Sequence, residues 1–483
     1  MRRALVSLIA ATALTGCTLE PHYVRPAPAT PASWPVGAAY PAPAPQTGPA
    51  LTYRDVFRDP HLQAVIERAL ANNQNLRVAM ANIEIARAQY RVQRSELFPQ
   101  IGANGTATES RGRVTTLGPN GAPTARTETV RSYAVDIGLT SFEIDLFGRL
   151  RSLSHAAQER YLATESAARA ARLALVGEVA DAYLAYAADN TDLAVARNTV
   201  ASATRTVELT QARLTGGVAP GADLSQAQTL LQQARSDVAA LTTQVAQDRN
   251  ALELLEGAPV PDADLPPSIE AVDGSLGEVP AGLDSRILLR RPDVLQAEFQ
   301  LRAANAQIGA ARAAFFPTIN LTGLAGFASP ALSSLFASGN FHWQAQGGVS
   351  LPIFAGGANL GNLALARGQR NAAVAQYQLA IQTAFREVAD ALARRGTIDE
   401  QMSAQQALLA AATTSYNLSV ARYKEGIDPY LNALDTQRTL YAAQRSLTAT
   451  RLIRAENLVA LYQTIGGDPL IEALPPPGSP ARP

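Results

Sequence analysis

The chain has 483 residues, and its 41 basic and 41 acidic residues give a formal net charge of zero, so no basic field favours a nucleic-acid partner. Its single cysteine excludes an intrachain disulfide and a cysteine-ligated metal cluster. The four histidines lack paired ligand spacing, and no nucleophile-elbow or phosphate-loop motif is present. We therefore expect neither an enzyme nor a metal site.

Residues 1–16 have the layout of an export signal. Arg2 and Arg3 precede a short apolar run that ends in Leu14-Thr-Gly-Cys17, and this run is too short to span a bilayer as a helix. Its end resembles the lipobox of bacterial lipoproteins. That resemblance implies cleavage before Cys17 and covalent lipid on Cys17 as an outer-membrane anchor, with no other cofactor. The alternative is an ordinary export signal with an incidental cysteine.

Residues 17–58 are predicted to be a lipidated, proline-rich tether. Prolines recur from Pro21 to Pro45, and each removes a backbone donor and fixes φ. We expect an extended segment here that does not pack as an element of the fold. A helical pattern follows from about Asp59 to Leu97 and ends before Pro99.

Alternating apolar and polar residues predict four β-strands, at about residues 100–109, 131–143, 317–328 and 341–353. A loop rich in Gly, Pro and Thr is predicted from Arg111 to Val130, between the first two strands. One apolar and one polar face suit strands of a membrane barrel, but they also fit a soluble antiparallel sheet packed on a core. Because a closed membrane barrel needs at least about eight strands, several chains would have to share one.

Four long helices are predicted at residues 149–214, 223–256, 359–423 and 431–465. Apolar residues on the longest two step by three and four, which is a coiled-coil seam. Two such apolar stripes on one helix suit a tube wall, and an ordinary coiled coil is the alternative. Residues 258–282 are predicted to be a connector and residues 467–483 a flexible tail.

An internal repeat relates the two halves of the chain, residues 59–257 and 283–466. Glu178 matches Glu387, an offset of 209 residues (387 minus 178). The same offset relates three pairs of residues around a Gly-x-x-Pro break: Arg213 with Arg422, Gly217 with Gly426, and Pro220 with Pro429. Each repeat is therefore predicted to hold a helical hairpin with a tight tip.

Several segments resemble the outer-membrane efflux channels of the TolC and OprM type, in particular their NodT lipoprotein branch. They are Ser141–Arg149, Leu288–Val294, Ala310–Leu321 (which contains Phe315-Phe-Pro317) and Leu351–Gly357. The resemblance implies an α+β homotrimer in a Gram-negative outer membrane. Its coiled-coil-like hairpins would form a trimeric α-barrel in the periplasm, and four transmembrane strands per protomer would join a shared twelve-stranded β-barrel. The implied partners are a periplasmic adaptor and an inner-membrane pump.

The resemblance also implies a gate at the hairpin tips. Tyr423 and Asp223 match a family Tyr and Asp that link neighbouring helices, and Asp435 matches an acidic position of the aperture. Asp428 and Asn432 depart from the Arg and Asp of the best-known member, so we expect this gate to close differently. Six tip residues are candidates for interhelical or adaptor contact: Arg213, Gly217, Pro220, Arg422, Gly426 and Pro429.

From these observations we expect a passive, trimeric exit duct of a tripartite efflux or secretion system. A periplasmic adaptor or a structural coiled-coil lipoprotein is the alternative. Adaptors have one helical hairpin with compact flanking β domains, whereas this chain has two hairpins interrupted by membrane-like strands.

Overall fold

The computed structural model describes residues 18–41, 52–117, 121, 123–277, 285–466 and 468–472. Cys17 and the predicted signal peptide lie outside the described residues, as does most of the predicted tail. The longer helices are α1 Pro60–Asn72, α2 Gln74–Ser95, α3 Arg149–Thr215, α4 Gly221–Glu256, α5 Pro292–Ala313, α6 Ala358–Lys424 and α7 Tyr430–Ile465. Short helical segments lie at Tyr53–Val56, Asp262–Asp264, Ile269–Asp273, Ser285–Arg290, Leu332–Ser334 and Pro469–Glu472.

Four antiparallel strands form one sheet in the order β1-β2-β3-β4: Ile101–Leu117, Pro123–Ile144, Thr318–Ser329 and Phe341–Ser350. The predicted loop from Arg111 to Val130 is wrong, because β1 continues to Leu117 and β2 begins at Pro123. Composition suggested a loop there, but the backbone ladder pairs every residue from Ile101 to Leu117 with a partner on β2.

The two faces of the sheet differ as the alternation predicts. Ile137, Trp343 and Val349 are largely exposed apolar residues. On the polar face, Asp136 and His342 both pair in register with Gly326, and their side chains meet across it at 3.2 Å. A Cβ on Gly326 would lie 2.3 Å from the Asp136 carboxylate, so glycine makes this contact possible.

Helices α3 and α6 each contain 67 residues, a length of about 100 Å. The predicted seam of α3 is buried, with Val176, Ala180 and Tyr183 at most 1% exposed, and the seam of α6 is buried around Tyr377 and Ile381. None of the helices in the described part of the chain combines the length and the apolar character that crossing a bilayer requires.

The chain forms two compact units, and neither coincides with one repeat. The first contains the described parts of residues 1–26, 85–162 and 298–375, including the sheet. The second contains those of residues 27–84, 163–297 and 376–483, including both hairpin tips. Each repeat thus contributes to both units.

The proline-rich segment is packed over its described residues 18–41, contrary to the prediction. In the first unit, the carbonyl of Pro21 accepts a hydrogen bond from Asn305 at 2.7 Å. In the second, Trp34 stacks on Phe385 with ring centroids 5.1 Å apart. Proline lacks an N–H but keeps its carbonyl, so an extended proline-rich chain can still be held by side chains of neighbouring helices.

Candidate functional site at the hairpin tips

The first tip ends helix α3 in a tight, hydrogen-bonded turn. Gly217 has a φ of 74°, the left-handed conformation that glycine adopts without steric cost. The amide of Val218 donates to the carbonyl of Arg213 and that of Gly217 to the carbonyl of Leu214, both at 2.9 Å. This pair of bonds is a Schellman motif, and Pro220 then precedes helix α4.

The second tip has the same backbone design. Gly426 has a φ of 75°, Ile427 donates to the carbonyl of Arg422 at 2.9 Å, and Gly426 donates to that of Tyr423 at 3.0 Å. Pro429 precedes helix α7. The two tips therefore share one backbone geometry.

Arg422 and Asp428 form an ion pair within the second tip. The guanidinium donates to both carboxylate oxygens, at 2.6 and 3.0 Å. These hydrogen bonds hold the pKa of Asp428 below its usual value, with a smaller contribution from Asn432. Asp428 thus holds Arg422 within the turn of its own hairpin.

Tyr423 is the buried centre of the tips, 4% exposed. Its hydroxyl lies 3.2 Å from that of Thr210 on α3, and its ring centroid is 5.4 Å from that of Tyr430. Arg213 covers the ring, with the guanidinium carbon 4.7 Å from the centroid, and donates to the Tyr423 carbonyl at 2.7 Å. The first hairpin is therefore tied to the second.

The described residues of this single chain show no Tyr423–Asp223 hydrogen bond. Packing among apolar tip residues directs the Tyr423 hydroxyl towards Thr210 instead. Asp223 is half-buried at the start of α4. The pKa of Tyr430 is raised to about 12 by burial, then by Tyr423, with a smaller contribution from the Asp223 charge. The gate role of Asp223 and Tyr423 stays a prediction.

Asp435 and Asn432 both lie exposed on α7. Their described hydrogen bonds are local: the Asn432 amide donates to the Pro429 carbonyl, and the Asp435 carbonyl accepts from Thr439. The structure does not bring them to the buried residues of the tips, so their role in an aperture also stays a prediction.

Thr210 and Tyr430 were not among the site residues predicted from the sequence. The sequence does not mark Thr210 as a site residue, because its repeat equivalent, Ser419 (210 plus 209), is also a small hydroxyl residue and the two copies do not differ there. Tyr430 does carry a signal, because its equivalent is Gly221 (430 minus 209). A large aromatic residue where the first repeat has glycine marks a place at which the two tips differ.

An apolar side chain stands exposed at each apex. Val218 and Ile427 follow the two turn glycines and are 69% and 61% exposed. They are equivalent across the repeat, at the same offset of 209 (427 minus 218). Apolar residues this exposed at both tips suit contact with a partner.

Away from the tips, α3 carries a half-buried carboxyl with a shifted pKa. Burial, a hydrogen bond with Asp248 and the charge of Asp248 raise the pKa of Asp189 to about 7.

Within the described residues, no group of three or more His, Cys, Asp or Glu side chains is arranged to hold a metal ion. The site at the hairpin tips is built from aromatic, arginine and backbone contacts.

Comparison with known proteins gives consistent matches along the chain. The outer membrane efflux protein family matches residues 65–258 and 283–467, one stretch in each repeat. The chain is 42% identical over 470 residues to the solvent efflux pump outer membrane protein SrpC of Pseudomonas putida, covering 97% of this chain and 98% of that protein.

Two solved structures extend the comparison to the fold. A membrane protein from Pseudomonas aeruginosa is 40% identical, with a TM-score of 0.85 over 93% of this chain and all of that one. The open state of the Neisseria gonorrhoeae MtrE outer membrane channel is 35% identical, with a TM-score of 0.81 over 94% and 98% of the two chains.

Proposed function

The chain belongs to the outer membrane efflux protein family, and from this premise we propose that it is the outer-membrane exit duct of a tripartite efflux system. It forms a passive channel that performs no bond chemistry. The observation that carries the proposal is a membrane-suited sheet that a single chain leaves incomplete.

The sheet supports a barrel shared between copies. Strands β1 and β4 are its two edges, and an apolar face with Ile137, Trp343 and Val349 is uncovered. In lipid, an open edge leaves backbone groups without hydrogen-bond partners. Joining β1 of one copy to β4 of the next removes the edges, and three copies, the number implied by the family, give twelve strands.

The helices support a tunnel wall for the same reason, because they too leave apolar surface uncovered in the single chain. Helix α6 carries leucines that are between 47% and 67% exposed in the single chain: Leu360, Leu365, Leu379, Leu408 and Leu418. A soluble helix with its seam already buried rarely leaves so many large apolar residues in water. We assign them to contacts with neighbouring copies.

An adaptor and an inner-membrane pump complete the system that we propose. The relative from Pseudomonas putida is named as part of a solvent efflux pump, which supports a pump partner for this chain. The exposed Val218 and Ile427 at the two apices offer apolar contact to an adaptor. The pump supplies the energy, and the tips form a gate with closed and open states that adaptor contact biases.

The lipid anchor on Cys17 is part of the proposal. The hydroxyl of Thr18, the next residue, lies 3.4 Å from that of Ser152. Thr18 also packs closely on Gly148, since a Cβ added to this glycine would lie only 2.9 Å from the Thr18 Cα. Both contacts are at the start of α3, just after β2 ends at Ile144. The residue that follows the proposed anchor thus lies close to the end of β2. Mass spectrometry of the mature protein should show the added lipid, which Cys17→Ser should abolish.

Single-channel conductance in a planar bilayer tests the duct, with the mass of the protein in detergent measured alongside. We expect a trimer with a small conductance that increases when the tips are altered. A monomer without conductance would contradict the proposal, and the sheet would then be a soluble one, as in the adaptor alternative.

A further inference from the structure

The two equivalent arginines of the tips have different partners. Arg422 binds Asp428 within its own turn. The position equivalent to Asp428 in the first tip is Ala219 (428 minus 209), so the turn of Arg213 offers no carboxylate at that place. Arg213 instead reaches the second hairpin.

Three contacts fix the position of the Arg213 guanidinium. Its guanidinium lies over the Tyr423 ring at 4.7 Å, a geometry in which the ring quadrupole attracts the cation. It donates to the Tyr423 carbonyl at 2.7 Å, the same carbonyl that accepts from Gly426. It also covers Gly426, where an added Cβ would lie 3.6 Å from the guanidinium.

We propose that Arg213 and Tyr423 form a lock within each chain that holds the two hairpin tips together and so stabilises the closed state of the gate. Arg213 is a positioning residue: it fixes the end of α3 against the end of α6. The inference rests on the proposed function, because a lock requires a gate. Opening that separates the hairpins must expose Tyr423 and break both of its contacts with Arg213.

The arrangement of donors makes the lock specific to arginine. One nitrogen donates to the carbonyl while the planar group stays over the ring, which a lysine ammonium cannot do in the same way. The Thr210–Tyr423 hydroxyl contact lies at the other end of the ring. Tyr423→Phe removes only this hydroxyl contact, whereas Tyr423→Leu removes the ring.

The test is the open-to-closed ratio of single channels from the full-length protein. We expect Arg213→Ala and Tyr423→Leu each to raise the ratio, by up to about tenfold. The double variant should raise it by less than the product of the two single effects, because Tyr423→Leu removes the ring contact of Arg213 but keeps the carbonyl that accepts its hydrogen bond. Tyr423→Phe and Arg422→Ala should change it much less, and Arg213→Lys should lie between wild type and Arg213→Ala. Packing defects that act independently would instead multiply in the double variant.

Ala219→Asp provides a variant that keeps every residue of the lock. The new carboxylate stands where Asp428 stands in the second tip and should draw Arg213 into its own turn. We expect the open-to-closed ratio to rise as it does in Arg213→Ala, and Ala219→Asn, which lacks the charge, to behave as wild type.

The outcomes separate the lock from the duct. A conducting wild type whose ratio is unchanged by Arg213→Ala and by Ala219→Asp would overturn the lock and leave the duct intact. A protein that stays trimeric but conducts in no variant would overturn the duct and the lock together. Multiplicative effects of Arg213→Ala and Tyr423→Leu would also overturn the lock.

Discussion

Glu298 holds the N-terminal segment to helix α5, and its removal should weaken the first unit measurably. Its side chain is 2% exposed and accepts hydrogen bonds from Tyr23 at 3.2 Å, from Arg25 at 3.0 and 2.7 Å and from Arg302 at 2.6 Å. Glu298→Ala leaves two guanidinium groups without this partner. Removing one member of a buried ion pair costs about 3 to 5 kcal/mol.

Solvent reduces that cost, because Arg25 and Arg302 are 44% and 33% exposed. We therefore expect a loss of about 2 to 3 kcal/mol in the free energy of unfolding. Glu67→Ala is the matched control, since its pair with Arg54 is about half exposed on both sides and solvent screening should make its contribution to stability much smaller.

Two measurements check the Glu298 prediction on detergent-solubilised protein. Denaturant titration gives the free energies of unfolding of the two variants. Hydrogen exchange of the amides in residues 18–25 shows whether the segment is released, and it should speed up in Glu298→Ala alone. Equal losses in both variants, or unchanged exchange in Glu298→Ala, would refute the view that Glu298 holds the segment.

Two further predictions concern α3 and α6. The pKa of Asp189 in the folded state is raised from 3.8 to about 7, so its protonated carboxyl favours folding below pH 4 and this contribution is lost as the pH rises from 4 to 7. Asp189→Asn should therefore be about 1 kcal/mol more stable than wild type above pH 7 and equal to it below pH 4. Thermal melting of both proteins as a function of pH checks this. A Cβ on Gly396 would lie 2.3 Å from the Ala39 carbonyl, whereas one on Gly368 of the same helix meets nothing within 4 Å. Because of this clash, Gly396→Ala should lower the melting temperature, and Gly368→Ala, which is the control, should leave it unchanged or raise it slightly.

Alternation and helical spacing predicted the element types well, because each reflects a local period that the final fold keeps. The long helix of the first repeat ends at Thr215, one residue beyond the predicted end. The error from Arg111 to Val130 has a tertiary cause: glycine and proline are poor strand formers on their own, but the continuous backbone ladder between β1 and β2 holds the chain extended. The packed N-terminal segment has a similar cause, since partners such as Asn305 and Phe385 are hundreds of residues away.

At the tips, the repeat predicted the turns but not the partners. Gly217 and Gly426 were found as equivalents because a left-handed turn demands glycine in both copies. The contact of Arg213 with Tyr423 could not follow from that equivalence, because it depends on what differs between the copies. Tyr423 has Leu214 as its equivalent (423 minus 209), and an aliphatic side chain offers no ring face to a guanidinium.

The difference between the two tips explains why only one of the two equivalent arginines reaches the other hairpin. Two identical tips, each with an Arg and an Asp in the turn, would pair within themselves and leave no guanidinium to cross between hairpins. Ala219 stands in the first tip where Asp428 stands in the second, so Arg213 has no carboxylate at that place in its own turn. The ring of Tyr423 on the other hairpin gives its guanidinium a target. In a trimer the six hairpins would then form three locked pairs.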